Sequence, residues 1–459
     1  MVAVIETLNA LCKTFGCQTI AVEIHRSCVE KHCLSSSSHE AKPHMTFCSD
    51  LVYANYARVE DFEYLEDNYP EINLTGTIII ARYGKIFRGN KALHAQAAGA
   101  KGLILYSDPA DYAVDGDISL YPDGWWLPET GAQRGNIWVS DAKGDPLTPG
   151  FPANAYAYRK NDTDTPLPKI PAHPIGYGDA RRLLSEMKGP VVSEADGWKG
   201  NLNVTYRIGP GFTDPQRKAK MNIYTTREIR NTYDVIGYIR GDTEPDRYVI
   251  LGNHRDAWVY GSTDPSSGTA TLMEVARAFG EQVKSGWRPR RSILFTSWGS
   301  EEYGLLGSTE YVEEFQKILG ERAVAYLNVD CAVVGNYTLR VKSTPLLYNA
   351  IYEAARQYKC QYASPLEVRQ LNDQLMQVER AFIEPLGLPN RKFLRHLVFA
   401  PSNNDYYAAD AFPGIVDAMF NIDEDPDQET RWRIVREQMA ITAFVIQSAA
   451  TTLADVLQF

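Results

Sequence analysis

The sequence predicts a multidomain chain of mixed α/β and β class, with a β-rich module, a doubly wound α/β sheet and a helical C-terminal part in that order. Three observations carry this expectation. Short β-type runs with turn punctuation begin at Asp50, strand and helix patterns alternate between residues 247 and 329, and helical spacing dominates from about residue 366. At 459 residues the chain accommodates about three domains of roughly 150 residues each.

The β-rich module is expected over residues 50–228. Thr77-Ile78-Ile79-Ile80-Ala81-Arg82-Tyr83 and Gly102-Leu103-Ile104-Leu105-Tyr106 read as strands, and the Gly, Pro and aromatic crowding over 107–174 reads as long ordered loops. Residues 247–252 form a short apolar run suited to a buried parallel strand. A helix follows over 266–283, with Leu272, Val275, Ala276 and Phe279 at helical spacing. A second strand (292–297), a second helix (305–319) and a third strand (323–329) complete the βαβ pattern of a doubly wound sheet. Residues 430–457 read as a long helix, with Ile434, Val435, Ala440, Ala443 and Phe444 on its apolar positions.

Residues 1–49 read as a Cys-rich, poorly ordered leader. Five of the seven cysteines lie there, and the spacing of Cys12, Cys17, Cys28, His32 and Cys33 fits no strong zinc template. The opening residues have no basic start, so they make a poor signal peptide. No run of about 18 apolar residues occurs, and no membrane span is expected. A net charge of -10 without a dense basic stripe excludes nucleic acid as the main partner. Sequons at Asn73, Asn161, Asn203 and Asn336 lean toward an extracellular glycoprotein.

Each strand of the βαβ stretch ends in a polar cluster, where open α/β sheets place their sites. His254-Arg255-Asp256 follows the first and leads on to Asp264; Glu301-Glu302 follows the second; Asp330 ends the third. One imidazole and several carboxylates on one rim suit zinc. His254 supplies nitrogen to one metal, Asp256 is placed to orient its ring, and Asp264 has two oxygens with which to bridge two metals. Asp330 completes the first site and Glu302 the second. Glu301, free beside a ligand, is placed as general base toward water.

Residues 246–256, Asp264-Pro265-Ser266-Ser267-Gly268, residues 300–310, Tyr326-Leu327-Asn328-Val329-Asp330 and Asn372-Asp373-Gln374-Leu375-Met376 together resemble the glutamate carboxypeptidase II family of dizinc peptidases, within the transferrin receptor-like superfamily. The resemblance runs from about Leu51 to the C-terminus. It implies a protease-associated domain (50–228), a truncated zinc peptidase domain (229–345) and a helical dimerisation domain (346–459). It also implies hydrolysis of small peptides with a C-terminal, acidic residue, two zinc ions, calcium, a homodimer, and a cell-surface or extracellular location. Carried over by the resemblance, Phe87, Arg88 and Asn136 grip the substrate carboxylate, Arg340 reads the acidic side chain upstream of the cut, and Tyr407 borders the C-terminal residue. Thr148, Phe151, Glu310 and Glu313 match the calcium site.

Three departures stand out. A Cys-rich leader replaces the family's membrane-anchoring helix, and Tyr406-Tyr407 stands where the family usually has Lys-Tyr. Only 31 residues separate Arg340 from Asn372, about a domain's worth fewer than in the family. That interval is where the second zinc's histidine is expected. Two functions therefore stay open: a zinc carboxypeptidase or dipeptidase, and a catalytically silent transferrin receptor-like receptor or dimerisation scaffold.

Overall fold

The computed structural model describes residues 18–30, 45–113, 120–124, 126–161, 164–165, 167–225, 227–333, 340–356, 376–407 and 409–454. The positions of Cys12, Cys17, His32 and Cys33, the sequon at Asn336 and residues 372–375 lie outside them. The chain divides into two compact units, Met1–Val334 and Gly335–Phe459.

In the first unit, strands β1 (Gln18–Glu30) and β2 (Met45–Ser49) fall inside the stretch read as a leader. The central sheet of the β-rich module is parallel, in the order β3 (Leu51–Tyr53), β4 (Ile78–Arg82), β5 (Gly102–Tyr106), β6 (Ala172–Ile175). Helices α1 (Val59–Asn68), α2 (Arg88–Ala97) and α3 (Tyr177–Ser185) connect and cover it. All five residues of β4 and all five of β5 are buried, which explains their near-continuous apolar sequence. β2 pairs with β7 (Ala219–Ile223), whose alternating burial marks a strand with one solvated face.

The second sheet of this unit has the order β1, β8 (Arg227–Ile239), β10 (Arg291–Trp298), β9 (Glu244–His254), β11 (Ala323–Asn328). β1 and β10 flank β8 antiparallel, while β9 lies between β10 and β11 and runs parallel to both. After β9 the chain passes through α4 (Ser266–Lys284) to β10 on one side. It then passes through α5 (Leu306–Glu314) and α6 (Gln316–Arg322) to β11 on the other. The carboxyl end of β9 is therefore a topological switch point, the position where open α/β sheets form their ligand crevice. The expected helix over 305–319 is broken at Phe315, which closes α5 and opens α6.

The second unit holds α7 (Pro345–Arg356), a two-stranded sheet of β12 (Phe399–Pro401) and β13 (Ala409–Ala411), α8 (Pro413–Met419) and the long α9 (Gln428–Ala454). Val435 of α9 packs with Ala418 and Ile422, and Val445 packs with Leu388, Leu397 and Ala400. These contacts account for the helical spacing of the C-terminal sequence.

Ile79, fully buried in β4, has no room to leave without a cavity. Ile79→Ala is expected to lower stability by about 2–5 kcal/mol, measured by chemical denaturation.

Candidate metal centre

The site is assembled at the switch point. His254 is the last residue of β9 and is 3% exposed. Its Nε2 lies 2.8 Å from Asp330 Oδ1, 3.2 Å from Asp264 Oδ1 and 3.9 Å from Glu301 Oε2. The ligand atoms of His254, Asp264 and Asp330 all fall within 4.8 Å of one another, and they are the one such group of three among the described residues. His254 and Asp330, 76 positions apart in the chain, thus meet because β9 and β11 are neighbours.

The backbone around them is tightly fixed. Asn253 is fully buried, and its Nδ2 donates to Val329 O at 2.8 Å while its Oδ1 accepts from Thr269 Oγ1 at 2.6 Å. One amide thereby ties β9 to the end of β11 and to α4. Gly268, in the first turn of α4, sits where a Cβ would come within 1.9 Å of Val329 O and 2.1 Å of Asp330 O, so only glycine allows this approach. After β10, Ser300 takes left-handed φ and opens the short 3₁₀ turn Glu301–Tyr303. Asp256 accepts from the amides of Glu301 at 2.9 Å and Glu302 at 3.1 Å. Asp234, buried on β8, accepts from Gly299 N at 2.9 Å.

Asp256 was expected to orient the His254 ring. Its Oδ1 is 3.6 Å from His254 Nδ1, which has no hydrogen-bond partner. This carboxylate accepts from the amides of the Glu301–Glu302 turn, and it also faces the imidazole Nδ1, where it raises the ring's pKa.

Electrostatics match a cation-binding pocket. Burial opposes the imidazolium, but the carboxylates of Asp256, Asp264, Asp330 and Glu301 lift the His254 pKa to about 12. Burial pushes Glu301 up to about 7, with the charges of Asp256, Asp330 and Asp264 adding to it against His254. Burial and the charges of Asp264 and Glu301 push Glu302 up to about 8. Hydrogen bonding to His254 holds Asp330 below the usual carboxylate range. Clustered carboxylates that retain protons at neutral pH around one imidazole are a donor set that a divalent metal satisfies in place of those protons.

Of the other expected site residues, Arg88 opens α2 and its Nε donates to Asn136 O at 2.6 Å. Asn136 Nδ2 in turn donates to Glu302 O at 2.9 Å. The arm expected to grip a substrate carboxylate therefore touches the turn that carries Glu301 and Glu302. Phe87 caps α2 and is buried, with the Arg88 guanidinium 5.1 Å from its ring centre. Glu310 accepts at both oxygens, from Asp145 N and Ala153 N at 2.6 Å each. Nearby, Thr148 Oγ1 and Glu313 Oε2 are buried without a hydrogen-bond partner, and Phe151 is partly exposed. Burial raises Glu310 to about 8 and Glu313 to about 7. Arg340 and Tyr407 are exposed residues of the second unit.

No second described imidazole joins Asp264 and Glu302. His94 lies on α2, its Nδ1 3.1 Å from Ala57 O, and His173 lies on β6. In the second unit, His396 Nδ1 accepts from Val398 N and Phe399 N. Asn253, Thr269 and Asp234 were not picked out from sequence. A polar residue inside the apolar run of β9 was the available signal for Asn253.

The architecture is that of a protease-associated domain, an M28 peptidase domain and a transferrin receptor-like dimerisation domain. Family models match in that order: the PA domain over residues 45–139, peptidase family M28 over 234–383 and the transferrin receptor-like dimerisation domain over 349–454. The chain belongs to the glutamate carboxypeptidase II and transferrin receptor-like family. Aminopeptidase NAALADL1 of Rattus norvegicus is 44% identical over 330 residues, covering 69% of this chain and 43% of that protein. A glutamate carboxypeptidase 2 homolog of Caenorhabditis briggsae is 45% identical over 320 residues, 68% of this chain and 41% of that protein. Transferrin receptor protein 2 of Homo sapiens is 34% identical over 377 residues, 82% of this chain and 43% of that protein. The chain thus spans less than half the length of these curated relatives. Among solved structures, BSAP, a zinc aminopeptidase from Bacillus subtilis, aligns over 72% of this chain and 62% of that chain at 17% identity, with a TM-score of 0.41.

The pKa shifts predict a pH-dependent stability. Glu301 and Glu302 are raised from 4.5 to about 7 and about 8, so between these values the metal-free folded state binds more protons than the unfolded state. Stability must then fall as pH rises through that window. Denaturation of chelator-treated protein is expected to give a lower midpoint at pH 8 than at about pH 5, with the difference reduced by Glu302→Gln.

Proposed function

We propose that this chain is a zinc-dependent carboxypeptidase or dipeptidase acting on small peptides that end in an acidic residue. The observation that carries this reading is Glu301 itself. It stands 3.9 Å from His254 Nε2, beside the grouped ligands His254, Asp264 and Asp330, with its pKa raised by burial to about 7. That value suits a group that takes a proton and returns it near neutral pH.

In this reading His254, Asp264 and Asp330 would hold one zinc, and Asp264 with Glu302 would hold a second. Zinc supplies Lewis acidity toward a peptide carbonyl and lowers the pKa of water. Glu301 accepts the proton of the attacking water and delivers it to the leaving amine. Asp256 fixes the turn that aims Glu301, through the Glu301 and Glu302 amides. Arg88, held by Asn136 O, orients the substrate by its terminal carboxylate, and Arg340 and Tyr407 are assigned to the flanking side chains.

Calcium is proposed at Thr148, Phe151, Glu310 and Glu313, on the strength of the partnerless Thr148 and Glu313 oxygens and the buried carboxyls. A homodimer is supported by the dimerisation-domain match. A cell-surface or extracellular location is supported by the exposed sequon residues Asn73, Asn161 and Asn203. Among the described residues no helix is long and apolar enough to cross a membrane.

A second reading, a non-catalytic dimeric scaffold, is favoured by the likeness to transferrin receptor protein 2 over 82% of this chain. Zinc content separates the two: about one or two zinc per chain after dialysis supports the peptidase, and none supports the scaffold. Glu301→Gln is expected to lower kcat/KM by about 10²–10⁴-fold with zinc content unchanged. Unaltered turnover in that variant removes Glu301 from the mechanism.

A further inference from the structure

A groove of about 490 Å³ runs between the second sheet of the first unit and helices α5 and α6, and it shares no residue with the metal centre. Small-ligand pockets commonly hold about 300–1,000 Å³. The groove is chemically graded from end to end, and strand register sets the gradient. Leu294 of β10 pairs with Tyr238 of β8, and Ile293 with Ile239, which puts Ser292 beside Arg240. Ser292 pairs in turn with Tyr248 of β9. Arg240, Ser292 and Tyr248 thus form a polar row across three strands at one end, while Ile236 and Leu294 floor the rest. The helical wall repeats this order. Phe315, Ile318 and Leu319 line the apolar stretch, and Arg322, further along α6, donates from Nη1 to Tyr248 Oη at 3.0 Å. Two guanidiniums, one from the sheet and one from the helix, therefore stand at the same end. Both residues are exposed, and among the described residues neither is ion-paired. Asp246, the one acid on the lining, has Arg247 at 2.8 Å.

We infer that this groove binds a medium-chain fatty acid, with the alkyl chain along Ile236, Leu294 and Phe315 and the carboxylate at Arg240 and Arg322. Charge complementarity selects the head group, since guanidinium forks match the geometry of a carboxylate. The apolar stretch selects the tail, which gains by leaving water there. Length agrees with both. Ile236 to Arg240 spans about 13 Å at the rise of a strand, and Phe315 to Arg322 about 10 Å at the rise of a helix. A single extended chain therefore reaches from the aromatic end to the arginines. The site stands independently of any peptidase activity, because none of its lining residues belongs to the metal centre.

Calorimetric titration of the full chain with decanoate, kept below its micelle concentration, tests this. Saturable binding of a single molecule per chain is expected. Decanol, which keeps the tail and loses the charge, should bind at least about tenfold more weakly. The Arg240→Gln/Arg322→Gln pair, at two exposed positions, should weaken decanoate by a similar factor and leave decanol unchanged. Ile318→Asp, at a site already 44% exposed, should weaken both ligands. Uptake that does not saturate, equal affinity for the acid and the alcohol, or full decanoate affinity in the paired variant overturns the inference. Tighter binding of trileucine than of decanoate would make the groove a peptide site and overturn it as well.

Discussion

Five carboxylates crowd one buried imidazole, His254. Two unit charges about 4 Å apart interact by roughly 4 kcal/mol at the effective dielectric of a protein surface. Asp256, Asp264, Glu301, Glu302 and Asp330 therefore repel one another strongly unless a positive charge intervenes. In the metal-free chain His254 is that charge, with Asp330 drawn to 2.8 Å of its Nε2. Burial first, and the neighbouring carboxylates second, raise the proton affinity of Glu301 and Glu302. A metal relieves the same strain without protons, which is why affinity for a divalent ion and the protonation of these groups are two views of one balance.

That crowding needs a rigid frame, and much of it comes from the β-rich module. Segment 136–153 docks along residues 302–310. Asn136 donates to Glu302 O, Gly144 N to Gly304 O, and Asp145 N and Ala153 N to Glu310. Gly304 has φ +117° and lies so close to Trp138 that a Cβ would come within 2.2 Å of the indole. The turn bearing Glu301 is consequently clamped between Asp256 beneath it and the neighbouring module beside it. The two modules of the first unit thus meet along the turn that carries Glu301 and Glu302.

Much of this was legible in the sequence. The apolar runs of β4 and β5, the βαβ alternation and the polar clusters at strand ends all reflect burial and periodicity, which are local signals. His254, Asp264, Glu301, Glu302 and Asp330 could be placed on one rim because a strand's carboxyl end is predictable from its sequence. What the sequence concealed depends on pairings between distant segments. The hydrogen bonds of Asp256 to the 301–302 turn required knowing which way that turn folds. Asn253 looked like a lapse in an apolar strand until β11 supplied Val329 O. The strands at 18–30 and 45–49 have no strong apolar signature, since one-sided pairing with β8 and β7 leaves their sequences mixed.

The frame is not uniform around the cluster. His254 is buried and Glu302 nearly so, but the side chains of Asp264 and Asp330 are 52% and 40% exposed. Asp264 sits on the loop that leaves β9, and Asp330 follows β11, the last strand in the order of the second sheet. Tyr326 and Leu327 on that strand are also exposed. The cluster therefore has a buried half, His254 and Glu302, and a half open to water, Asp264 and Asp330. Asp330 thus follows an end strand of its sheet, tied to the neighbouring strand by the β9–β11 pairing and by the hydrogen bond from Asn253 to Val329 O.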